Sequence, residues 1–156
     1  SASEFSPGKN MTKAMLVTLL HRLEGEKLVE GKVYTDINQG AYYTNAAHWA
    51  VTNGIAYPES DTHFAPNTVV TREQLAVMIY NYAKYIGLDG EEISDVSMKQ
   101  FIDWGQVSED AQLAMKYCYD KGIMIGKTET QLAPQGMTTR AEVATIIERF
   151  MRLALN

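Results

Sequence analysis

Apolar residues recur at the spacing i, i+3, i+4, i+7 in three stretches of the chain: Leu16, Leu19, Leu20, Leu23; Leu75, Met78, Ile79, Tyr82; and Val143, Ile146, Ile147, Phe150. That spacing predicts three helices, each with one buried face. Three such helices can bury their stripes against one another. Each stretch opens on a Thr followed by a cation: Thr12-Lys13, Thr71-Arg72 and Thr139-Arg140. Five residues before each Thr stands a Pro, in Phe5-Ser6-Pro7, Phe64-Ala65-Pro66 and Leu132-Ala133-Pro134. A fixed internal pattern recurring at intervals of about 60 to 70 residues marks a chain built from copies of one supersecondary unit.

The Thr residues are expected N-caps, because a hydroxyl can accept from an unpaired amide of the first helical turn. Gln74 and Glu142, three residues on, predict full capping boxes in the second and third copies. Met15 occupies that place in the first copy, and the missing half of the box is expected to cost under about 1 kcal/mol.

Upstream of the Pro, Tyr34-Thr35-Asp36-Ile37 matches Phe101-Ile102-Asp103-Trp104. Each is followed by a helical stretch that ends in Gly: Asn45 to Gly54-Ile55 in one copy, Ala111 to Gly122-Ile123 in the other. Trp49 and Tyr117 hold the same place, five residues before the glycine. Gly54 and Gly122 suit the left-handed residue that closes a helix. Each full copy therefore reads helix, loop, helix.

Taken together, aromatic-x-Asp-Ile, an aromatic-rich helix ending in Gly-Ile, Phe-x-Pro, and Thr139-Arg140-Ala141-Glu142 resemble the S-layer homology repeat, a bacterial cell-surface module. Thr71-Arg72-Glu73-Gln74 is a close variant and Thr12-Lys13-Ala14-Met15 a looser one. The resemblance covers the chain from about Phe5 onward, with a partial first repeat at about 5–30 that lacks its Asp segment and first helix, a second at about 33–87 and a third at about 100–156. It implies an all-α, pseudo-threefold domain of helix-loop-helix repeats around a central three-helix bundle. It also implies noncovalent anchoring of an exported protein to secondary cell-wall polysaccharide of Gram-positive bacteria, often through a pyruvylated amino sugar held in grooves between repeats.

On that resemblance the expected ligand-binding residues are Arg72, Arg140, Asp36, Asp103, Trp49, Gly54, Gly122 and Lys13. The groove of the second and third copies is expected to be the intact one. Each residue also has a structural reading. A cation in the first turn of a helix is mildly unfavourable, by roughly 0.3 to 1 kcal/mol. Its recurrence points either to an anion site built with free amides or to a lock between helix and loop through a carboxylate such as Asp36 or Asp103. Lys13 lacks the planar fork of a guanidinium. Asp36 and Asp103 can accept from sugar hydroxyls or cap the helix that follows, and Trp49 and Tyr117 can face a sugar ring or lie in the core.

Composition narrows the classes. The chain has 156 residues and 46% apolar content, which is ordinary for one globular domain. A net charge of -5 argues against nucleic acid, which needs a concentrated basic face. No stretch of about 18 apolar residues predicts a membrane span. No hydrolase elbow, phosphate loop, dinucleotide fingerprint or zinc-helix motif occurs, so neither an enzyme nor a cofactor is expected. Asp89, Glu91, Glu92 and Asp95 do not follow the spacing of a calcium loop and read as an acidic linker. His21, His48 and His63 show no metal-ligand spacing.

Cys118 is the lone cysteine and is expected to be a buried, unreactive thiol. A secreted, mature fragment located at the cell wall is expected, with Ser1-Ala2-Ser3 as a cloning remnant. The incomplete first copy suggests self-association, with a second molecule completing it. The competing reading is a protein-interaction module without sugar binding, using exposed tyrosines such as Tyr42, Tyr43 and Tyr57.

Overall fold

The computed structural model describes residues 6–88, 93 and 97–156. Phe5, the Ser1-Ala2-Ser3 segment and the acidic residues Asp89, Glu91, Glu92 and Asp95 lie outside the described residues. The protein is all-α, with no strand among the described residues and five α-helices: α1 (Lys13–Leu23), α2 (Thr44–Thr52), α3 (Arg72–Tyr85), α4 (Glu109–Asp120) and α5 (Arg140–Leu155). A 3-10 turn, Trp104–Gln106, precedes α4. The chain divides into two compact units, Thr12–Val69, carrying α1 and α2, and Ser1–Met11 with Val70–Asn156, carrying α3, α4 and α5.

In the Thr12–Val69 unit, α1 packs on α2 around Leu16, Val17, Leu20, Trp49, Ile55 and Phe64, all fully buried. His21 joins this core, its ring 5.3 Å from that of Trp49, and its Nε2 lies 2.7 Å from the Lys27 carbonyl. The buried face of α1 is therefore rotated from the predicted stripe: Leu23 is exposed, Leu19 is half-buried, and Ala14, Val17, Thr18 and His21 face inward. Docking on Trp49 of α2 accounts for the shift. In the other unit α3 packs on α4, and the predicted stripes of α3 and α5 are buried throughout. Cys118 is fully buried there, and burial pushes its thiol pKa up, as expected of an inert structural cysteine.

All three Thr residues cap as expected. Thr12 Oγ1 accepts from Met15 N, and Thr71 Oγ1 accepts from Gln74 N while Gln74 returns an oxygen to Thr71 N. The third box forms only by half. Thr139 accepts from Glu142 N, but the Glu142 carboxylate turns to Lys127 Nζ at 2.9 Å and Arg72 Nη1 at 3.7 Å, since two cations outcompete one backbone amide.

The glycine ends of α2 and α4 form the same closing motif. Ile55 N bonds the Ala50 carbonyl and Gly54 N that of Val51; Ile123 N bonds the Cys118 carbonyl and Gly122 N that of Tyr119. Gly54 and Gly122 both sit at φ +69°, where a Cβ would be strained even though neither would meet a neighbouring atom within 4 Å.

Candidate functional site

Both units hold one loop in an unusual conformation by the same means. Ala65 and Ala133, each just before a Pro, have φ of 62° and 51°, a left-handed backbone that costs an Ala about 1 to 2 kcal/mol. In the Thr12–Val69 unit the Asp36 carboxylate accepts from Phe64 N at 2.8 Å and Ala65 N at 2.7 Å. In the other unit Asp103 accepts from Leu132 N at 2.9 Å and Ala133 N at 2.8 Å. Asp103 is buried, so these two charge-assisted bonds replace the water its carboxylate has lost. At Asp36, burial pushes the pKa up but the amides of Phe64 and Ala65 outweigh it, and the net shift is below the ordinary carboxylate value.

The repeated cation takes the opposite side of the same peptide. Arg72 Nε donates to the Leu132 carbonyl and Nη2 to that of Ile125, both at 2.8 Å. Lys13 Nζ donates to the matching carbonyls of Phe64, at 2.5 Å, and Tyr57, at 2.6 Å, and sits 4.2 Å from the centroid of the Phe64 ring. Cation and Asp thus form a clamp, one on the carbonyls and one on the amides. Helix-to-loop locking is the observed arrangement, but through carbonyls and not through a direct Arg-to-Asp pair. Asp36 and Asp103 cap neither following helix: the N-cap of α2 is Tyr43 and that of α4 is Ser108, neither with a side-chain cap bond.

The helix amides that an anion site would need are all engaged. Arg72 N bonds the Gly136 carbonyl and Glu73 N that of Pro134; Lys13 N bonds that of Thr68 and Ala14 N that of Pro66; Arg140 N bonds that of Lys9 and Ala141 N that of Pro7. The third amide of each helix goes to its capping Thr. An anion meeting these helix starts would find no vacant N–H.

The remaining candidates divide by exposure. Trp49 is 0% and Tyr117 1% exposed, so both lie in the core and neither presents a ring face to solvent. Arg72 is 5% exposed; burial pulls its pKa below the ordinary value while Glu142 and Asp103 oppose the shift. Arg140 is half-buried. Lys13 is also half-buried, and burial lowers its pKa to about 8 against the pull of Asp36 and Glu59.

Sequence reasoning missed Glu73. It is buried, its carboxylate accepts from Ser108 N at 3.0 Å and Ser108 Oγ at 2.9 Å, and Gln135 Nε2 also donates to it. The signal was its departure from the other copies, which carry Ala14 and Ala141 at that place. The described residues contain no group of three or more His, Cys, Asp or Glu able to hold a metal.

The S-layer homology domain model matches residues 33–76 and 100–144, more than half of the chain. The chain belongs to the S-layer homology domain family. Both matched segments contain one Asp of the clamp and end within the next Thr-Arg helix. Among curated relatives, an endoglucanase of Bacillus sp. (strain KSM-635) is 30% identical over 97% of this chain and 16% of its own length. The surface-layer 125 kDa protein of Lysinibacillus sphaericus is 31% identical over 93% of this chain and 12% of its own. An amylopullulanase of Thermoanaerobacterium thermosulfurigenes is 28% identical over 93% and 8% respectively. This S-layer homology chain therefore spans less than a fifth of each of these relatives, and the two enzymes are matched only over that small part.

Proposed function

We propose that the chain is a noncovalent anchoring module that binds secondary cell-wall polysaccharide at the surface of a Gram-positive bacterium. The observation that carries this reading is the set of relatives: one S-layer homology region is common to proteins named for different activities and to a surface-layer protein. What such proteins share is a place to act, and a wall anchor supplies it. No helix among the described residues is long and apolar enough to cross a membrane, so the reading draws on the wall and not on insertion. The finer form of the proposal is a pyruvylated amino sugar as the bound unit.

The test is sedimentation of the purified chain with isolated walls. It pellets with intact walls and stays in solution once the walls are stripped of secondary polysaccharide. Pelleting that is indifferent to stripping overturns the proposal.

A further inference from the structure

Two residues before the capping Thr of each copy stand Asn10, Val69 and Met137. Three unlike side chains at one place show that the fold does not call for a thioether there. Oxidation of methionine follows the access of the oxidant to the sulfur, and access singles out Met137. It is 62% exposed, whereas every other methionine of the eight is buried or half-buried.

The backbone that carries Met137 is pinned on both sides. The Gly136 carbonyl accepts from Arg72 N, and Thr138 belongs to a closed triangle of backbone bonds. Met11 N donates to the Thr138 carbonyl at 2.9 Å, Thr138 N to that of Val70 at 3.0 Å, and Val70 N to that of Met11 at 2.9 Å. Thr138 is fully buried, and its Oγ1 donates to the same Val70 carbonyl. All three residues lie in the unit made of Ser1–Met11 and Val70–Asn156. Asn10, the neighbour of Met11, is exposed and donates from Nδ2 to Met137 Sδ at 3.8 Å. A thioether is a weak acceptor, so this contact holds little as it stands.

We infer that Met137 is a modification site for peroxide, and that Asn10 turns its oxidation into a latch. The sulfur lone pair attacks one oxygen of hydrogen peroxide, the O–O bond breaks and a sulfur–oxygen bond forms. The transferred hydroxyl gives its proton to the departing hydroxide, which leaves as water. Sulfur is oxidised by two electrons and peroxide is reduced by two. The product is a polar sulfoxide, and its oxygen accepts from Asn10 Nδ2 in place of the weak sulfur contact. Because Asn10 adjoins Met11, the new bond ties segment 6–11 more firmly to the triangle. The same segment supplies the Pro7 and Lys9 carbonyls that Ala141 N and Arg140 N use at the start of α5. Oxidation of a buried methionine disrupts a core; at this exposed place it fastens a closure.

Treatment of the full chain with hydrogen peroxide, followed by peptide mass spectrometry, tests the site. Met137 gains one oxygen at least about tenfold faster than any other methionine. Hydrogen exchange on the same samples tests the latch. The Met11 amide exchanges roughly threefold more slowly in the oxidised parent, the effect of one added hydrogen bond. In Asn10→Ala, a change at an exposed side chain, peroxide oxidises Met137 but leaves that exchange rate where it was. Met137→Leu, which conserves volume, shows no response of the Met11 amide to peroxide. A second methionine oxidised as fast as Met137 overturns the site. A Met11 amide that exchanges as fast or faster after oxidation, or a slowing that Asn10→Ala retains, overturns the latch.

Discussion

Replacing Asp103 by Ala removes the acceptor of one buried and one part-buried amide and leaves a strained loop without its brace. Each charge-assisted bond, at 2.9 and 2.8 Å, is worth about 1.5 to 3 kcal/mol. The two act on adjacent peptides and do not add in full, so the expected loss is about 3 to 4 kcal/mol, a large share of the roughly 5 to 15 kcal/mol that holds a domain together. The Arg72 guanidinium, pinned to the carbonyl of the same Leu132, would also lose the electrostatic support of Asp103. Urea titration followed by far-ultraviolet circular dichroism measures the loss as a fall in midpoint at constant slope. Asp36→Ala deletes the matching pair of bonds from a more exposed carboxylate, and its cost is expected to be about half as large. If Asp103→Ala costs under about 1 kcal/mol while abolishing wall binding, the clamp reasoning is refuted and Asp103 is a ligand residue.

Lys13 titrates at about 8 in the fold against 10.5 unfolded, so between those values the unfolded chain binds more protons and stability rises with pH. Relative to Lys13→Arg, which does not titrate there, the parent gains about 1 to 2 kcal/mol from pH 8 to 10.5 after discounting for its partial exposure; a flat difference in urea midpoints refutes this. Ala133→Val forces a β-branched side chain into a left-handed backbone and lowers stability by more than about 2 kcal/mol, whereas Ala133→Gly is neutral or stabilising by up to about 1 kcal/mol. Thermal melts of the two variants must separate in that order. Glu73→Gln keeps an acceptor for Ser108 but loses the charge in the first turn of α3 and in three hydrogen bonds, costing about 1 to 2 kcal/mol by urea titration.

What the sequence made legible was whatever local chemistry decides. The three Thr caps follow from spacing, as do the glycine ends of α2 and α4 and the buried faces of α3 and α5. The role of Asp36 and Asp103 did not follow, because each bonds amides 28 to 30 residues downstream, and no local rule pairs residues so far apart. The α1 stripe was misjudged because His21 and Thr18 count as polar in any pattern yet are buried. Thr18 makes a bond to the Ala14 carbonyl and His21 lies against Trp49. The family resemblance singled out Arg72 as a ligand residue. Only its burial and its two carbonyl partners show what it holds.

The two clamps set a limit on any scheme in which one residue both shapes the loop and holds a ligand. A guanidinium that donates to two carbonyls from a nearly closed site is a strong brace, because its planar fork loses little entropy per bond. The same desolvation takes it out of reach of an incoming sugar. An ammonium in that place braces less well and carries the pKa depression that reports its cost, but it is less enclosed than Arg72. Stability and binding therefore pull the repeated cation toward different residues. A chain with several copies can settle the two demands differently in each, as the closed site of Arg72 and the more open one of Lys13 do. Lys13→Arg then separates the two demands: it should strengthen the Thr12–Val69 unit near neutral pH while weakening polysaccharide binding. A variant that gains in both would show that the copies face no such conflict.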